Sequence, residues 1–270
     1  MAQVHPVTEP DDPRIEGYRE VRERDLAGRE GLFVAEGRVV LEKAVRAIPD
    51  RIVSVLVAEK RLDSLADVIA NLAPGTPVYA ASQTVMDRIV GFPIHRGILA
   101  LGRRVAVPAK RLLAGLPPEA LVVGLVGIAN HDNMGGLFRN AAAFGADAVL
   151  IDAGSCDPLY RKAIRVSVGA ALTVPFARLA PDEDMAEVLA AAGFEVLGLT
   201  PRGEVELSEL EPAPRTAALF GAEGPGLPEA VMARARTVRL QMAGGFDSLN
   251  VATTSGIVLH HISARRNSRT

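Results

Sequence analysis

The segment "LVVGLVGIANHDNMGGLFRNAAAFGADAVLID", residues 121–152, contains the pattern that decides the fold class. It begins and ends with near-continuous apolar runs, which are typical of strands in a parallel sheet covered on both faces. Between these runs, Asn130, Asp132 and Asn133 can cap a helix that we predict near 135–144. A strand, a helix and a second strand in this order predict an open α/β sheet.

The same alternation continues towards the end of the chain. Further strands are predicted in "LTVPFA" (172–177), "FEVLGLT" (194–200), "TAALFG" (216–221) and "TVRLQM" (237–242), with helices near 159–168, 182–192, 228–235 and 249–264. In open α/β sheets, ligands bind beyond the carboxyl ends of the strands. Glycine-rich turns that follow predicted strands are therefore candidate walls of a site.

A smaller alternating pattern occupies residues 32–103. Short β-branched runs such as "RIVSVLVA" alternate there with segments whose apolar residues recur at helical spacing, such as "RVVLEKAVRAI". The three prolines of "AVPAKRLLAGLPPEA" (106–120) predict a linker or crossover, because proline blocks helix continuation and central strand pairing. We therefore predict an N-terminal α/β domain at 1–107, a linker at 108–120 and a second α/β domain at 121–270.

Composition excludes several classes of protein. Of 270 residues, 49% are hydrophobic, which is enough for a sizeable core, yet no apolar run reaches the ~18–20 residues of a membrane helix. The polar, acidic N-terminus does not resemble a secretory signal. Cys156 is the only cysteine, which excludes internal disulfides and thiolate zinc clusters. We expect a cytoplasmic protein without a membrane segment.

The net charge of the chain is −2, so the overall charge does not indicate nucleic-acid binding. Arginines are nevertheless clustered, and each cluster fits either a solvated face or contact with an RNA backbone. These arginines are Arg14, Arg19, Arg22, Arg24 and Arg29 near the N-terminus, Arg234, Arg236 and Arg239 further on, and those of the terminal "ARRNSRT".

Three glycine-bearing turns carry polar residues that could form a site. In the first, Gly135 and Gly136 would let a backbone or ligand come close, free N–H groups there would attract an anion, and Arg139 lies one turn further, where it could bind a phosphate. In "LFGAEGPGLP" (219–228), Glu223 lies among glycines whose amides could surround a ligand. Each turn is also compatible with an ordinary capped helix or strand-to-helix loop.

The third turn, "GGFDSLNVATTSG" (244–256), leads into the last predicted helix. Either Ser248 or Asn250 could cap that helix, and the small residues after them permit close packing. His260 and His261 point about 100° apart on a helix, so they cannot face one metal ion together. We predict no metal site.

Together, "NMGGLFRNAAAFGAD", "LFGAEGPGLP" and "LQMAGGFDSLNVA" resemble, in order and spacing, the three motifs of the SpoU (TrmH-type) RNA 2′-O-ribose methyltransferases of the SPOUT class. The resemblance covers roughly 121–264. In addition, "LFVAEGRVVLEKAV" and "HRGILALGR" are similar to the substrate-binding domain that often precedes this catalytic domain. The resemblance implies an α/β domain with a deep trefoil knot, S-adenosylmethionine bound in the knot, and a homodimer with its active sites near the subunit interface.

The resemblance also implies roles for individual residues. Arg139 matches the arginine thought to contact the RNA phosphate and to help deprotonate the ribose 2′-hydroxyl, although an arginine is a poor base because its guanidinium stays protonated. The other matching residues are Asn133 on the substrate side, Glu223 of motif two, Ser248 and Asn250 of motif three, and Gly221, Leu240 and Leu249 at the cofactor.

The chain departs from the family pattern at motif three. Leu240-Gln241-Met242 stands where Ile-Pro-Met is usual, and Ala252 replaces a serine. Gln241 restores a backbone N–H that proline lacks, and Ala252 removes a hydroxyl.

The leading hypothesis is thus an S-adenosylmethionine-dependent RNA ribose 2′-O-methyltransferase that acts on rRNA or tRNA, and the N-terminal domain favours rRNA. One alternative is a non-catalytic RNA-binding protein that retains the scaffold. A second alternative, a dinucleotide-dependent dehydrogenase, is disfavoured because the G-x-G-x-x-G fingerprint is missing.

Overall fold

The computed structural model describes residues 3–19, 31–244 and 248–267. These residues form two compact units. Unit 1 contains the described residues of Met1–Val105 together with Asp157–Thr173, and unit 2 contains those of Ala106–Cys156 and Val174–Thr270. The predicted domains were continuous, whereas Asp157–Thr173 makes its contacts within unit 1.

The elements alternate along the chain in both units. The strands are β1 (Val4–Val7), β2 (Leu32–Glu36), β3 (Ile52–Ala58), β4 (Val78–Ala81), β5 (Ile98–Arg103), β6 (Ala120–Val126), β7 (Ala148–Ile151), β8 (Phe176–Arg178), β9 (Glu195–Leu199), β10 (Val205–Glu206), β11 (Arg215–Gly221) and β12 (Arg236–Arg239). The α-helices are α1 (Arg38–Ala47), α2 (Ala66–Ala70), α3 (Gln83–Val90), α4 (Ala109–Ala114), α5 (His131–Ala143), α6 (Arg161–Val166), α7 (Ala170–Thr173), α8 (Met185–Ala191), α9 (Glu229–Met232) and α10 (Val251–Asn267). Short 3₁₀ helices lie at Pro13–Tyr18, Pro49–Arg51, Glu59–Arg61, Asp63–Leu65 and Leu207–Glu209.

Unit 1 is built on a mixed five-stranded sheet in the order β1-β4-β3-β5-β2. Strands β1, β4 and β3 are parallel, whereas β5 runs antiparallel to both β3 and β2. Ser82 caps α3 through its side chain, which accepts a hydrogen bond from the Val85 N–H, as helix-capping chemistry predicts. Helix α6 packs against β2, so a segment distant in sequence completes this unit.

Unit 2 contains a seven-stranded, wholly parallel sheet in the order β10-β12-β9-β11-β6-β7-β8. Every residue of β6 is buried, as the apolar run in the opening segment predicts. The parallel register brings the carboxyl ends of β9, β11 and β12 to one edge. This edge is where the glycine turns emerge.

Two predictions of local structure need correction, and one edge strand was not predicted. The proline-rich segment predicted as a linker contains helix α4, because Pro108 precedes the helix and Pro117 and Pro118 follow it, so none of them interrupts it. "LTVPFA" is a strand only from Phe176, since Ala170–Thr173 is helical. Strand β1, with Pro6 inside it, was not predicted; it lies at the edge of its sheet, where proline is tolerated.

Candidate active site

A pocket in unit 2 opens at the carboxyl ends of β9, β11 and β12. Its walls contain Leu199, Thr200 and Pro201 after β9, Phe220 to Glu223, Gly224 and Gly226 around the end of β11, Val238, Leu240 and Met242 from β12 and the segment after it, and Ser248, Leu249, Val251 and Thr254 from the start of α10. The predicted cofactor residues Gly221, Leu240 and Leu249 therefore line one cavity.

The turn after β11 requires glycine at specific positions. A Cβ on Gly221 would lie 2.3 Å from the carbonyl carbon of Gly226, so no larger residue fits there. Gly224 and Gly226 have φ values of +88° and +72°, which glycine adopts at little cost, and a Cβ at either would meet no atom within 4 Å. The turn thus folds tightly back on β11 and leaves open space beside its backbone.

The side chain of Asn250 joins the three motifs. Its Nδ2 donates hydrogen bonds to Asn133 Oδ1 and to Glu223 Oε1, both at 2.9 Å. Its Oδ1 accepts from the backbone N–H groups of Ala252 and Thr253, which makes Asn250 the N-cap of α10. Of the two predicted capping residues, Asn250 is the one that caps the helix.

Asn133 reaches this cluster because its own helix is capped at the preceding turn. Asn130 Oδ1 accepts hydrogen bonds from the backbone N–H groups of Asp132 and Asn133, which starts α5. Asn133 is 8% exposed, so its amide is one of the few buried polar side chains among the described residues. Buried polar groups are almost always hydrogen-bonded, and Asn250 supplies that partner.

Helices α5 and α10 are held together by a second polar contact. Asn140 Nδ2 donates to the carbonyl oxygen of Ala252 at 2.6 Å and to Ser255 Oγ at 2.9 Å. Gly136 faces Ala252, and a Cβ on Gly136 would lie 2.7 Å from the Ala252 Cβ. Ala252, the departure from the motif-three serine, is therefore a small residue at a close helix crossing.

The remaining predicted residues lie at the surface. Ser248 and Leu249 line the pocket and are exposed, and Leu249 is 44% exposed. Arg139 is exposed on α5, does not line the pocket, and makes no hydrogen bond or ion pair within the described part of the chain. The structure thus brings Asn133, Glu223 and Asn250 into contact but leaves Arg139 outside that network.

The arginine clusters divide in the structure. Arg234, Arg236 and Arg239 each lie within 4 Å of a carboxylate, namely Asp184, Glu195 and Glu206. In the N-terminal cluster, Arg14 pairs with Asp12, and this arginine holds the pKa of Asp12 at about 2, well below its usual value. Arg22, Arg24 and Arg29 lie outside the described residues.

The pocket lining suits S-adenosylmethionine, the cofactor that the motif resemblance implies. Apolar side chains such as Leu240 and Leu249 offer a surface for an adenine ring, and the open backbone at Gly224 and Gly226 can approach polar groups of a ligand closely. The carboxylate of Glu223 lies at the same wall. No cluster of three or more metal-ligating side chains occurs among the described residues, and none of the described helices is long and apolar enough to cross a membrane.

The sequence did not identify Thr200 and Pro201 as pocket residues or Asn140 as the link between helices. Thr200 and Pro201 follow β9, whose place beside β11 depends on a strand order that the sequence does not specify. The role of Asn140 could not be predicted from the sequence, because its partners, Ala252 and Ser255, lie more than a hundred positions further along the chain.

Fold and site define an α/β protein with a pocket at the carboxyl ends of parallel strands. Comparison with known proteins is more specific. Residues 120–260 match the SpoU rRNA methylase family. An uncharacterized tRNA/rRNA methyltransferase of Mycobacterium tuberculosis (strain ATCC 25618 / H37Rv) is 40% identical over 269 residues, covering 95% of this chain and 91% of the relative. The chain therefore belongs to the SpoU rRNA methylase family and is a methyltransferase.

Solved structures agree on the fold. The AdoMet-bound rRNA methyltransferase from Sinorhizobium meliloti superposes with a TM-score of 0.82 at 24% identity, covering 97% of this chain and 98% of that one. An RNA 2′-O ribose methyltransferase superposes with a TM-score of 0.76 at 26% identity, covering 98% and 100%. The SPOUT-class fold predicted from the motifs is confirmed, and the trefoil knot stays a prediction.

Proposed function

We propose that the protein transfers a methyl group from S-adenosylmethionine to a ribose 2′-hydroxyl of RNA, with rRNA as the preferred substrate class and tRNA as the alternative. The observation that carries this proposal is the pair of hydrogen bonds from Asn250 to Asn133 and Glu223. They join three distant motifs beside one pocket, which is the arrangement a two-substrate reaction requires.

Each part of the site has a chemical task in this proposal. The pocket at Gly221, Leu240 and Leu249 would hold S-adenosylmethionine, which would supply the methyl group from its sulfonium and leave as S-adenosylhomocysteine. The Asn133–Asn250–Glu223 cluster fixes the wall beside the ribose. Arg139, exposed on α5, would bind an RNA phosphate and so orient the ribose 2′-hydroxyl, whose proton would pass to solvent when the oxygen is methylated. Orientation of this kind can supply about 7–11 kcal/mol of the barrier in well-oriented reactions.

Similarity to a solved structure and to a protein family supports RNA ribose as the proposed target. The solved structure of 26% identity is described as an RNA 2′-O ribose methyltransferase, which favours the ribose oxygen over a base atom. The family is described by rRNA methylation, which favours rRNA. We further propose a cytoplasmic homodimer with a trefoil-knotted unit 2, as the motif resemblance implies. Analytical ultracentrifugation of the purified protein tests the dimer.

The proposal is tested in two stages with the purified full chain. Calorimetry should detect binding of S-adenosylmethionine and of its demethylated product, S-adenosylhomocysteine. Incubation with methyl-labelled cofactor and total RNA should then yield 2′-O-methylated nucleosides, identified by mass spectrometry after digestion. Binding of neither cofactor form would contradict the proposal. Label found only in base-methylated nucleosides would retain the methyltransferase but reject the ribose target.

The departures at Gln241 and Ala252 favour one alternative, an RNA-binding protein without catalysis. In that case RNA binding would persist while no labelled nucleoside appeared with any RNA fraction. Restoring the family residues, with Gln241→Pro and Ala252→Ser, would then be the informative comparison, because recovery of activity would assign the loss to those two positions.

A further inference from the structure

Unit 1 contains a second cavity that the proposed methyl-transfer site does not use. Four cationic side chains line it, Arg96, Arg161, Lys162 and Arg165, together with one carboxylate, Glu36, and the ring of Phe92. Arg96 follows β4 and α3 in the "HRGILALGR" stretch, Glu36 ends β2, and the other three cations lie on α6. We call this cavity the cationic pocket.

Buried Glu36 organises the cationic pocket. Its side chain is 8% exposed, and its Oε2 accepts a hydrogen bond from Arg161 Nη1 at 2.7 Å, with Arg165 Nη1 at 3.6 Å from the same oxygen. The Arg161 guanidinium carbon also lies 5.0 Å from the centroid of the Phe92 ring, within the range of a cation–π contact. Arg161 is thus held on two sides before any ligand binds.

The lining of the cationic pocket contains more cationic than acidic side chains. Four cations face one carboxylate, whose charge is already shared by Arg161 and Arg165. Arg96 is exposed and has no carboxylate within 4 Å among the described residues. The whole chain has a net charge of −2, so this predominance of cationic side chains in the lining does not reflect the overall composition. A site of this kind attracts an anion with several oxygens, such as a phosphate.

The backbone at Gly37 leaves room for the side chain of Arg96. Gly37 has a φ of +95°, and a Cβ on it would lie 3.1 Å from both Cδ and Nη1 of Arg96, so the missing side chain leaves room for that arginine.

We propose that the cationic pocket binds a backbone phosphate of the RNA substrate and so anchors the RNA on unit 1. This inference rests on the proposed function, since it takes RNA as the substrate. Arg161, fixed by Glu36, presents a preformed guanidinium, while Arg96 and Lys162 add charge at the rim. We expect this site to bind RNA of any sequence, because phosphate contacts position a nucleic acid without specifying its sequence.

The test compares rim variants with a matched control in the full-length protein. Arg96→Gln and Lys162→Gln remove rim charge without breaking the Glu36 pair, and Arg46→Gln removes an exposed arginine of α1 that does not line the cationic pocket. Binding of a fluorescein-labelled, mixed-sequence 30-nucleotide RNA is measured from 50 to 300 mM salt. Each rim variant should weaken RNA binding about 5- to 10-fold at low salt and reduce the salt slope by about one, because one phosphate contact is lost.

Further measurements separate this inference from the proposed function. Thermal unfolding and S-adenosylmethionine binding should be the same in all four proteins. Unchanged RNA affinity and salt slope in both rim variants would overturn the inference, even if methylation is intact. Equal losses in Arg46→Gln would also overturn it, since they would indicate diffuse attraction. If the wild type bound no cofactor but the rim variants still weakened RNA binding selectively, the proposed function alone would fail.

Inorganic phosphate distinguishes an RNA site from a free-anion site. It should compete with the labelled RNA in the wild type more effectively than chloride at equal ionic strength, and this advantage should shrink in Arg96→Gln. Phosphate binding that depends on Arg96, without any effect of Arg96→Gln on RNA affinity, would identify a site for the free anion and contradict the inference.

Discussion

Asn250 performs two tasks with one amide group. Its oxygen caps α10, and its nitrogen bridges Asn133 and Glu223. An amide is the side chain that can both accept from backbone N–H groups and donate to two oxygens. An aspartate could accept but not donate, and a serine would be too short to span these partners. The need to accept and to donate hydrogen bonds with one side chain explains why an asparagine at position 250 is informative in the sequence.

Asn250→Asp separates the two tasks. We predict that the variant keeps the N-cap of α10, because aspartate is an equally good N-cap, but loses about 1–3 kcal/mol of stability, because Asn133 Oδ1 loses its donor. Methyl transfer should fall about 100-fold, the loss associated with small misplacements at a reacting centre. The new carboxylate would also lie beside that of Glu223. Steady-state kinetics with saturating cofactor provide the measurement, and Asn71→Asp, an exposed change on unit 1, is the control. Activity within a few-fold of wild type would show that the bridge is dispensable.

Arg139 is exposed and makes no hydrogen bond or ion pair with other described side chains, so its guanidinium group is available to bind a phosphate of the RNA. We predict that Arg139→Ala reduces RNA affinity and lowers the salt slope by about one, with cofactor affinity unchanged. Arg139→Lys should retain the slope but not the full rate, since lysine keeps the charge and loses the planar fork. An Arg139→Ala enzyme with wild-type RNA affinity and rate would contradict this role.

At the scale of elements, the pairing of α5 with α10 determines whether the site assembles. Asn133 lies on α5 and Asn250 begins α10, and Asn140 fixes the two helices to each other through Ala252 and Ser255. The close crossing at Gly136 sets the distance between the helices. A displacement of α10 would therefore separate Asn250 from both of its partners.

Gly136→Ala tests this coupling. Its Cβ would lie 2.7 Å from that of Ala252, so the helices must move apart, and we expect a destabilisation of about 1–2 kcal/mol together with reduced activity. Gly256→Ala on α10 is the matched control, because its Cβ would meet no atom closer than 3.4 Å. That substitution should be neutral or stabilising by about 0.5–1 kcal/mol, as alanine favours the helix. Urea unfolding and kinetics of both variants provide the comparison, and equal behaviour of the two would refute the close-packing argument.

In unit 1, the 3₁₀ helix at Pro13–Tyr18 is anchored by a fully buried phenol. Tyr18 Oη lies 2.7 Å from Ser54 Oγ, and burial raises the pKa of Tyr18 above its ordinary value. The folded state therefore favours the neutral phenol. This contribution to stability is complete below pH ~10, the unfolded pKa of tyrosine, and is lost as the pH rises above that value.

We predict that the wild type loses about 1 kcal/mol more stability than Tyr18→Phe between pH 8 and pH 11, because phenylalanine has no proton to lose. Urea unfolding at the two pH values measures the difference. Since all other ionisable groups are common to both proteins, their effects cancel in the comparison. An equal loss in both proteins would mean that Tyr18 ionises as readily in the folded state as in the unfolded state.

At the scale of the whole molecule, local patterns predicted the elements well and their assembly poorly. The apolar runs of β6 and β11 and the capping residues of α5 follow from chemistry within a few positions. The strand order of unit 2 depends on packing across the chain, so Thr200 and Pro201 could not be assigned to the pocket. The sequence likewise could not predict that Asp157–Thr173 belongs to unit 1, because the helical patterns of α6 and α7 do not indicate which sheet they pack against.

The motif resemblance supplied what periodicity could not. It grouped Asn133, Glu223 and Asn250 before any geometry was known, and the structure brings these three side chains into hydrogen-bond contact. It also grouped Gly221, Leu240 and Leu249, which line one pocket. Arg139 differs, because it makes no hydrogen bond or ion pair with the described residues, and its proposed partner is the RNA substrate rather than the protein.

The most direct measurement is single-nucleotide mapping of ribose methylation on rRNA from cells that lack this protein, after incubation with S-adenosylmethionine and either wild-type or Asn250→Asp protein. Our account predicts a discrete 2′-O-methylated position that the wild type restores and the variant does not. Restoration of that methyl group by both proteins alike, or by neither on any RNA, would contradict the claim that the three joined motifs form a ribose methyl-transfer site.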